Sequence, residues 1–139
     1  MGNAIEQVAK EFARRRDPDR SRAGTRGRTP GRGQNKRVQD NDPIAHAEID
    51  CLRNAGRLGS FRDTVLFSTL IPCSLCADAV VQFGIRKVIV RDSCTFAGAA
   101  DFMRNYGVEV NDLDLQECAE MMTNFIAEHP QLWDEDIGR

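Results

Sequence analysis

From Ala13 to Arg37 the chain has no valine, isoleucine, leucine, methionine or aromatic residue. Arginine, glycine, aspartate, proline, serine and threonine dominate the stretch instead. Such a composition buries too little apolar surface to offset the entropy lost on ordering. The core must therefore come from residues 38–139. A short amphipathic helix can add to it at the start, where Ile5, Val8, Ala9 and Phe12 keep the i, i+3, i+4, i+7 spacing. At 139 residues the chain reads as one domain over 1–139, with 14–30 as an atypical Arg/Gly-rich segment.

Beyond residue 40 the pattern becomes regular. Asp42-Pro43 predicts a helix start, an N-cap followed by proline at the first position, and that helix runs to Asn54 or Ala55. Residues 64–69 read as a strand, Cys73 to Phe83 as a helix closed by Gly84, and Lys87 to Arg91 as a second strand. Residues 98–106 read as a helix, Val108 to Leu113 as a strand and Leu115 to Glu128 as an amphipathic helix. A tail after Pro130 carries Trp133. Strands alternating with helices at this spacing predict a parallel α/β sheet.

The net charge of −2 hides an asymmetry. Residues 1–40 carry eleven Lys/Arg against five Asp/Glu, and the remainder carries eight against sixteen. A basic arm of this kind can serve nucleic acid, but this one has no aromatic side chain on which bases would stack. Nucleic acid is accordingly not the expected partner. No apolar run reaches the length of a membrane span and the N-terminus lacks a secretory apolar region, so the expected setting is cytoplasmic, with no membrane partner. The five cysteines, Cys51, Cys73, Cys76, Cys94 and Cys118, are an odd number, which argues for metal binding or buried thiols over a disulfide framework. Cys51 and Cys118 read as core thiols on helices, and Cys94 as a loop residue without a role.

His46-Ala47-Glu48 and Pro72-Cys73-Ser74-Leu75-Cys76 carry the chemistry. One imidazole and two thiolates make a three-ligand set for a catalytic zinc, leaving an open position for water. Glu48, two residues after His46, can approach that water without ligating the metal. Cys73 and Cys76 share one face of a helix's first turn, where unpaired N–H groups favour thiolate. The spacing is that of zinc-dependent nucleobase deaminases. In that chemistry zinc-held hydroxide attacks an amino-bearing ring carbon, and Glu48 carries protons from water to the ring nitrogen and the departing amine. A redox pair would not need His46-Ala47-Glu48, and a structural zinc site would need a fourth ligand.

The chain resembles the cytidine deaminase superfamily, and within it the fungal-type cytosine deaminases and their bacterial relatives. The resemblance spans residues 31–139. It is carried by Gly31-Arg32-Gly33-Gln34-Asn35, by Asp42 to Glu48, by Asn54-Ala55-Gly56-Arg57, by Thr69 to Ile85, and by the tail Pro130 to Gly138. It implies a three-layer α/β/α domain with a five-stranded sheet, a homodimer and a free nucleobase substrate, most specifically cytosine converted to uracil and ammonia for pyrimidine salvage. It also implies substrate contacts from Asn35, Ala47, Phe96, Trp133 and Asp136, with Trp133 packing on the base and Asp136 accepting from its exocyclic amine. The alternatives are another aminated heterocycle, a nucleoside or a tRNA base, or an inactive or nucleic-acid-binding relative.

Arg14 to Thr29 departs from these relatives, which have an apolar β-hairpin there. Codons can be chosen for Arg16–Thr25 that, read one base later, spell Gly-Ile-Pro-Ile-Gly-Ala-Val-Leu-Val, the opening strand of the relatives. The expectation is that the first hairpin is missing or corrupted and that the segment is out of frame.

Overall fold

A computed structural model of the protein describes residues 20–25, 28–92 and 98–138. The expected helix near Ile5–Phe12 lies outside these residues, as do Cys94 and Phe96. The described elements run β1 (Arg20–Thr25), β2 (Arg28–Gln34), α1 (Ala47–Ala55), β3 (Val65–Leu70), α2 (Ser74–Gln82), β4 (Lys87–Asp92), α3 (Ala100–Asn105), β5 (Glu109–Asp112), α4 (Gln116–Glu128) and α5 (Pro130–Asp136). Five strands form one sheet in the order β2-β1-β3-β4-β5. β3, β4 and β5 are parallel, with Leu66 opposite Val88 and Val88 opposite Val110. This is the α/β layering that the alternation of elements predicts.

Alternation along the strands divides the core between the two faces of the sheet. Leu66, Val88, Val90 and Val110 pack with Cys51 of α1, Ala77 and Val80 of α2 and Met103 of α3. The intervening residues Val65, Phe67 and Ile89 form a second cluster, against which Leu113 packs. A third cluster joins Leu70 at the end of β3 to Met122 of α4 and Trp133 of α5. The third cluster brings the C-terminal tail back over the ends of the parallel strands, where open α/β sheets place their ligand sites.

The first hairpin, expected to be missing or corrupted, is present as a backbone ladder in its Arg/Gly-rich sequence. β1 and β2 pair antiparallel, with Arg20 opposite Gln34 and Arg22 opposite Arg32, and β1 also pairs antiparallel with β3. A ladder needs backbone donors and acceptors more than apolar side chains, and here β3 supplies an edge for β1 to complete. The glycines that argued for disorder have a packing role in β2. A Cβ on Gly31 would collide with the Cys51 carbonyl, and one on Gly33 would collide with the Cys51 backbone and the Ala47 carbonyl. α1 therefore lies directly on the β2 backbone, where any larger residue would push it away. The Cys51 thiol reaches the Gly31 carbonyl at 3.5 Å across this contact.

Two element boundaries also differ from expectation. The first helix begins at Ala47 with His46 as its N-cap, four residues after Pro43. Asp42 caps a turn instead: its Oδ1 accepts from Ile44 N at 3.0 Å and its carbonyl accepts from Ala45 N at 3.3 Å. This local bond competes with helix propagation and delays it. The tail, for which no helix was predicted, forms α5 with Pro130 as its first residue.

Candidate active site

Two helix N-termini converge below the ends of the parallel strands. His46 caps α1 and Cys73 caps α2, both with extended backbone angles. Cys76 follows one turn into α2 and is fully buried. Nδ1 of His46 lies 3.6 Å from Sγ of Cys73. Ligand atoms of His46, Cys73 and Cys76 all fall within 4.8 Å of one another, a group that could hold a metal ion. The donor set fits zinc: bond lengths of about 2.3 Å to sulfur and about 2.0 Å to nitrogen in a tetrahedron put the two atoms about 3.5 Å apart. Nδ1 is the nitrogen that faces the sulfurs. Nε2 points the other way and lies 3.3 Å from Oδ1 of Asp136 on α5, the kind of partner that fixes the ring of a metal-binding histidine.

The electrostatics of the thiols follow from this crowding. The Cys73 thiol is pulled down to about 4, chiefly by the hydrogen bond from Cys76 and then by His46, against the opposing effect of burial. The Cys76 thiol is pushed up, because it donates that bond and is buried. Cys73 also raises His46, with Asp136 and Glu48 adding to it while burial opposes. The three groups together thus favour a cation among them.

Glu48, on the first turn of α1, is 6 % exposed and accepts a hydrogen bond at Oε1 from Ser68 Oγ at 2.7 Å. Ser68 is a residue the sequence reading missed. The signal available was one of the two hydroxyls in the Val65–Leu70 strand, the one two residues after Leu66 and so on the face toward α1. Ala47 is fully buried as the first residue of α1.

Trp133 and Asp136 meet this centre from α5. A tight cavity of about 20 Å³ is lined by His46, Glu48, Ile71, Cys73, Trp133 and Asp136. Asn35, Trp133 and Asp136 also line a neighbouring cavity of about 300 Å³. Oδ1 of Asn35 is occupied locally, accepting from Arg37 N at 3.1 Å. Burial pushes the Asp136 carboxyl up, against His46 and Arg37, which favour its charged form. Asp136 Oδ1 is buried and has no aligned hydrogen-bond donor among the described residues. Of the expected site residues, His46, Glu48, Cys73, Trp133 and Asp136 line the smaller cavity, Asn35 lines the neighbouring one, Cys76 groups with His46 and Cys73, and Ala47 lines neither cavity; Phe96 is outside the described residues.

Arg37 was also missed. It is a buried arginine beside Asp136, and it lies at the end of the stretch that composition alone marks as solvent-exposed. Only the position of the C-terminal helix reveals it.

Residues 23–92, half of the chain, match the cytidine and deoxycytidylate deaminase zinc-binding region, and the match includes His46, Glu48, Cys73 and Cys76. The chain belongs to this deaminase family. Among its relatives is the cytosine deaminase of Candida albicans, 41% identical over 110 residues, which cover 78% of this chain and 73% of the relative. The tRNA-specific adenosine deaminase of Buchnera aphidicola subsp. Schizaphis graminum is 33% identical over 106 residues, covering 68% of this chain and 70% of the relative. A solved structure from studies of A-to-I editing by tRNA:A34 deaminases superposes with a TM-score of 0.64 at 26% identity, covering 86% of this chain and 99% of that one. The fold is also shared with NE0047 in complex with 2,6-diaminopurine, at TM-score 0.67 and 21% identity over 91% of this chain and 79% of that one. The protein is therefore a deaminase-family hydrolase with a zinc-binding site. Among the described residues no helix is long and apolar enough to cross a membrane.

Proposed function

We propose that the protein deaminates free cytosine to uracil and ammonia, using Glu48 to move protons and His46, Cys73 and Cys76 to hold zinc. The observation that carries this reading is the meeting of Trp133 and Asp136 of α5 with His46, Glu48 and Cys73 around one small space, with Asp136 Oδ1 buried beside His46. A carboxylate there can accept from an exocyclic amine. Zinc, when bound, supplies the charge that makes a water molecule nucleophilic near neutral pH.

The chain's own groups do the rest. Trp133 packs against the flat face of the ring. Asn35 and the Ala47 backbone fix the polar edge of the base, and Asp136 accepts from its amino group. Ser68 holds the Glu48 carboxylate in place. Glu48 takes the proton from the attacking water and delivers it to the adjacent ring nitrogen, then takes the second proton from the new hydroxyl and passes it to the amine as the carbon–nitrogen bond breaks and the carbonyl forms. One water is consumed, and the products are one ring carbonyl and one ammonia.

The relatives named as tRNA-specific adenosine deaminases supply the second reading. The tight closure of α5 over the site supports a small free base over a base attached to a polymer. The exposed Phe102–Tyr106 ring pair on α3 supports a homodimer, and reduced thiols suit a cytoplasmic role in pyrimidine salvage. The test is ammonia release by zinc-loaded protein from cytosine, guanine, cytidine and an adenosine-containing tRNA anticodon stem-loop. Cytosine is expected to exceed each of the others by at least a hundredfold in kcat/KM. Preference for the stem-loop would replace this reading with the second one.

A further inference from the structure

The wall of the site that faces the metal-binding residues is a single short helix, and one buried arginine holds it. α5 supplies Trp133 and Asp136, and both line the 20 Å³ space at His46 and Glu48 as well as the 300 Å³ cavity next to it. With Leu70, which also lines both, these two side chains separate the spaces. The smaller holds about one water molecule, and a pyrimidine ring does not fit in it. The larger reaches the size of a small-molecule pocket. The other walls of the smaller space are His46 and Glu48 on α1, Leu70, Ile71 and Cys73 from the end of β3 to the start of α2, and Ile137 just after α5. α5 is the wall supplied by the C-terminal end of the chain, outside the sheet.

Arg37 makes three contacts with that helix. Its Nε is 2.8 Å from Asp136 Oδ1, its Nη1 is 3.4 Å from Glu135 Oε1, and its Nη2 donates to the Leu132 carbonyl at 3.2 Å. The guanidinium side chain is 6 % exposed and that of Asp136 17 %, so their attraction is little screened, whereas Glu135, 61 % exposed, contributes less. The approach to Asp136 is close but off the N–H axis, and neither Nε nor Nη1 is counted as hydrogen-bonded. This is an ion pair that holds position without saturating the carboxylate. Arg37 is itself anchored locally, its backbone N–H donating to Asn35 Oδ1.

We infer that Arg37 is a positioning residue for the reaction: it latches α5 against the site, so that Trp133 and Asp136 close on a base that has entered through the larger cavity. The inference rests on the reading of the site as a nucleobase pocket, but the latch itself can be read without substrate. Trp133 is the only tryptophan in the chain, and it is 6 % exposed. Its emission therefore reports the position of α5.

The experiment compares zinc-loaded wild type with Arg37→Gln and Arg37→Lys, each checked for zinc content and circular dichroism. Arg37→Gln is expected to raise acrylamide quenching of Trp133 at least threefold. It should raise KM for cytosine at least tenfold while kcat changes by less than threefold. A residue that only supported folding would instead lower the fraction of active protein at unchanged KM. Arg37→Lys, which keeps one charge without the planar fork, is expected to recover part of both losses. If Arg37→Gln does not fold, the double variant Glu135→Gln/Asp136→Asn removes the anionic partners and must raise quenching as well. Unchanged quenching in the folded variants would overturn the latch. Raised quenching in a wild-type background that releases no ammonia from cytosine would uphold the latch and overturn the substrate assignment.

Discussion

Glu48→Gln is expected to slow ammonia release from cytosine by about a thousandfold, within the range that general acid–base catalysis supplies. The substitution isolates the proton because the amide keeps the shape. Glu48 is buried and accepts from Ser68 Oγ at 2.7 Å. Glutamine can accept the same bond through its own Oε1 but cannot carry a proton between water, ring nitrogen and leaving amine. Zinc content should therefore stay at one per chain and the urea midpoint should move little. Steady-state rates, metal analysis and denaturation on the same preparation check all three. A loss of less than tenfold would mean that another group moves the proton. Loss of zinc would mean that Glu48 belongs to the metal set.

Cys76→Ser has the second large effect, and it acts on the metal. Among the described residues, His46, Cys73 and Cys76 are the only such group. With three donors and no fourth side chain in the group, each ligand carries a large share of the affinity. A serine hydroxyl does not ionise near neutral pH, so it cannot replace a thiolate. Bound zinc is expected to fall below a tenth of an equivalent after gel filtration, with activity below one per cent of wild type. The helical signal should persist, because Cys76 sits one turn into α2 and the serine leaves the apolar contacts of Ala77 and Val80 in place. Retained zinc and activity would remove Cys76 from the site.

The Cys73–Cys76 pair was legible in the sequence because local geometry determines it, and His46, 27 residues from Cys73, was legible only through the motif spacing it shares with nucleobase deaminases. A residue capping a helix and another three positions further on share a face whatever the rest of the fold does. The parallel strands were legible for a similar reason: Val65–Leu70 and Lys87–Asp92 are short apolar runs between helices. The hairpin was not legible. Its ladder depends on an edge supplied by β3, and its glycines answer to the backbone of α1, so nothing in the local pattern from Arg20 to Gln34 announces a strand. Arg37 and Ser68 were hidden by the same kind of distance. Arg37 is 95 residues from its Leu132 partner and Ser68 is 20 from Glu48. Side-chain pairs at such separation are set by topology, which periodicity does not encode. The tail was legible through resemblance, since a tryptophan near a C-terminus is by default a packing residue. α5 places Trp133 in a cluster with Leu70 and Met122 and along the space that His46 and Glu48 also line.

The most direct measurement is ammonia released from cytosine by the wild-type chain as zinc is titrated into metal-free protein, with uracil counted in parallel. The expected result is a rate that rises in proportion to bound zinc, saturates at one equivalent per chain, and yields one uracil for each ammonia. Full zinc occupancy without ammonia, or ammonia from protein stripped of metal, would contradict the account.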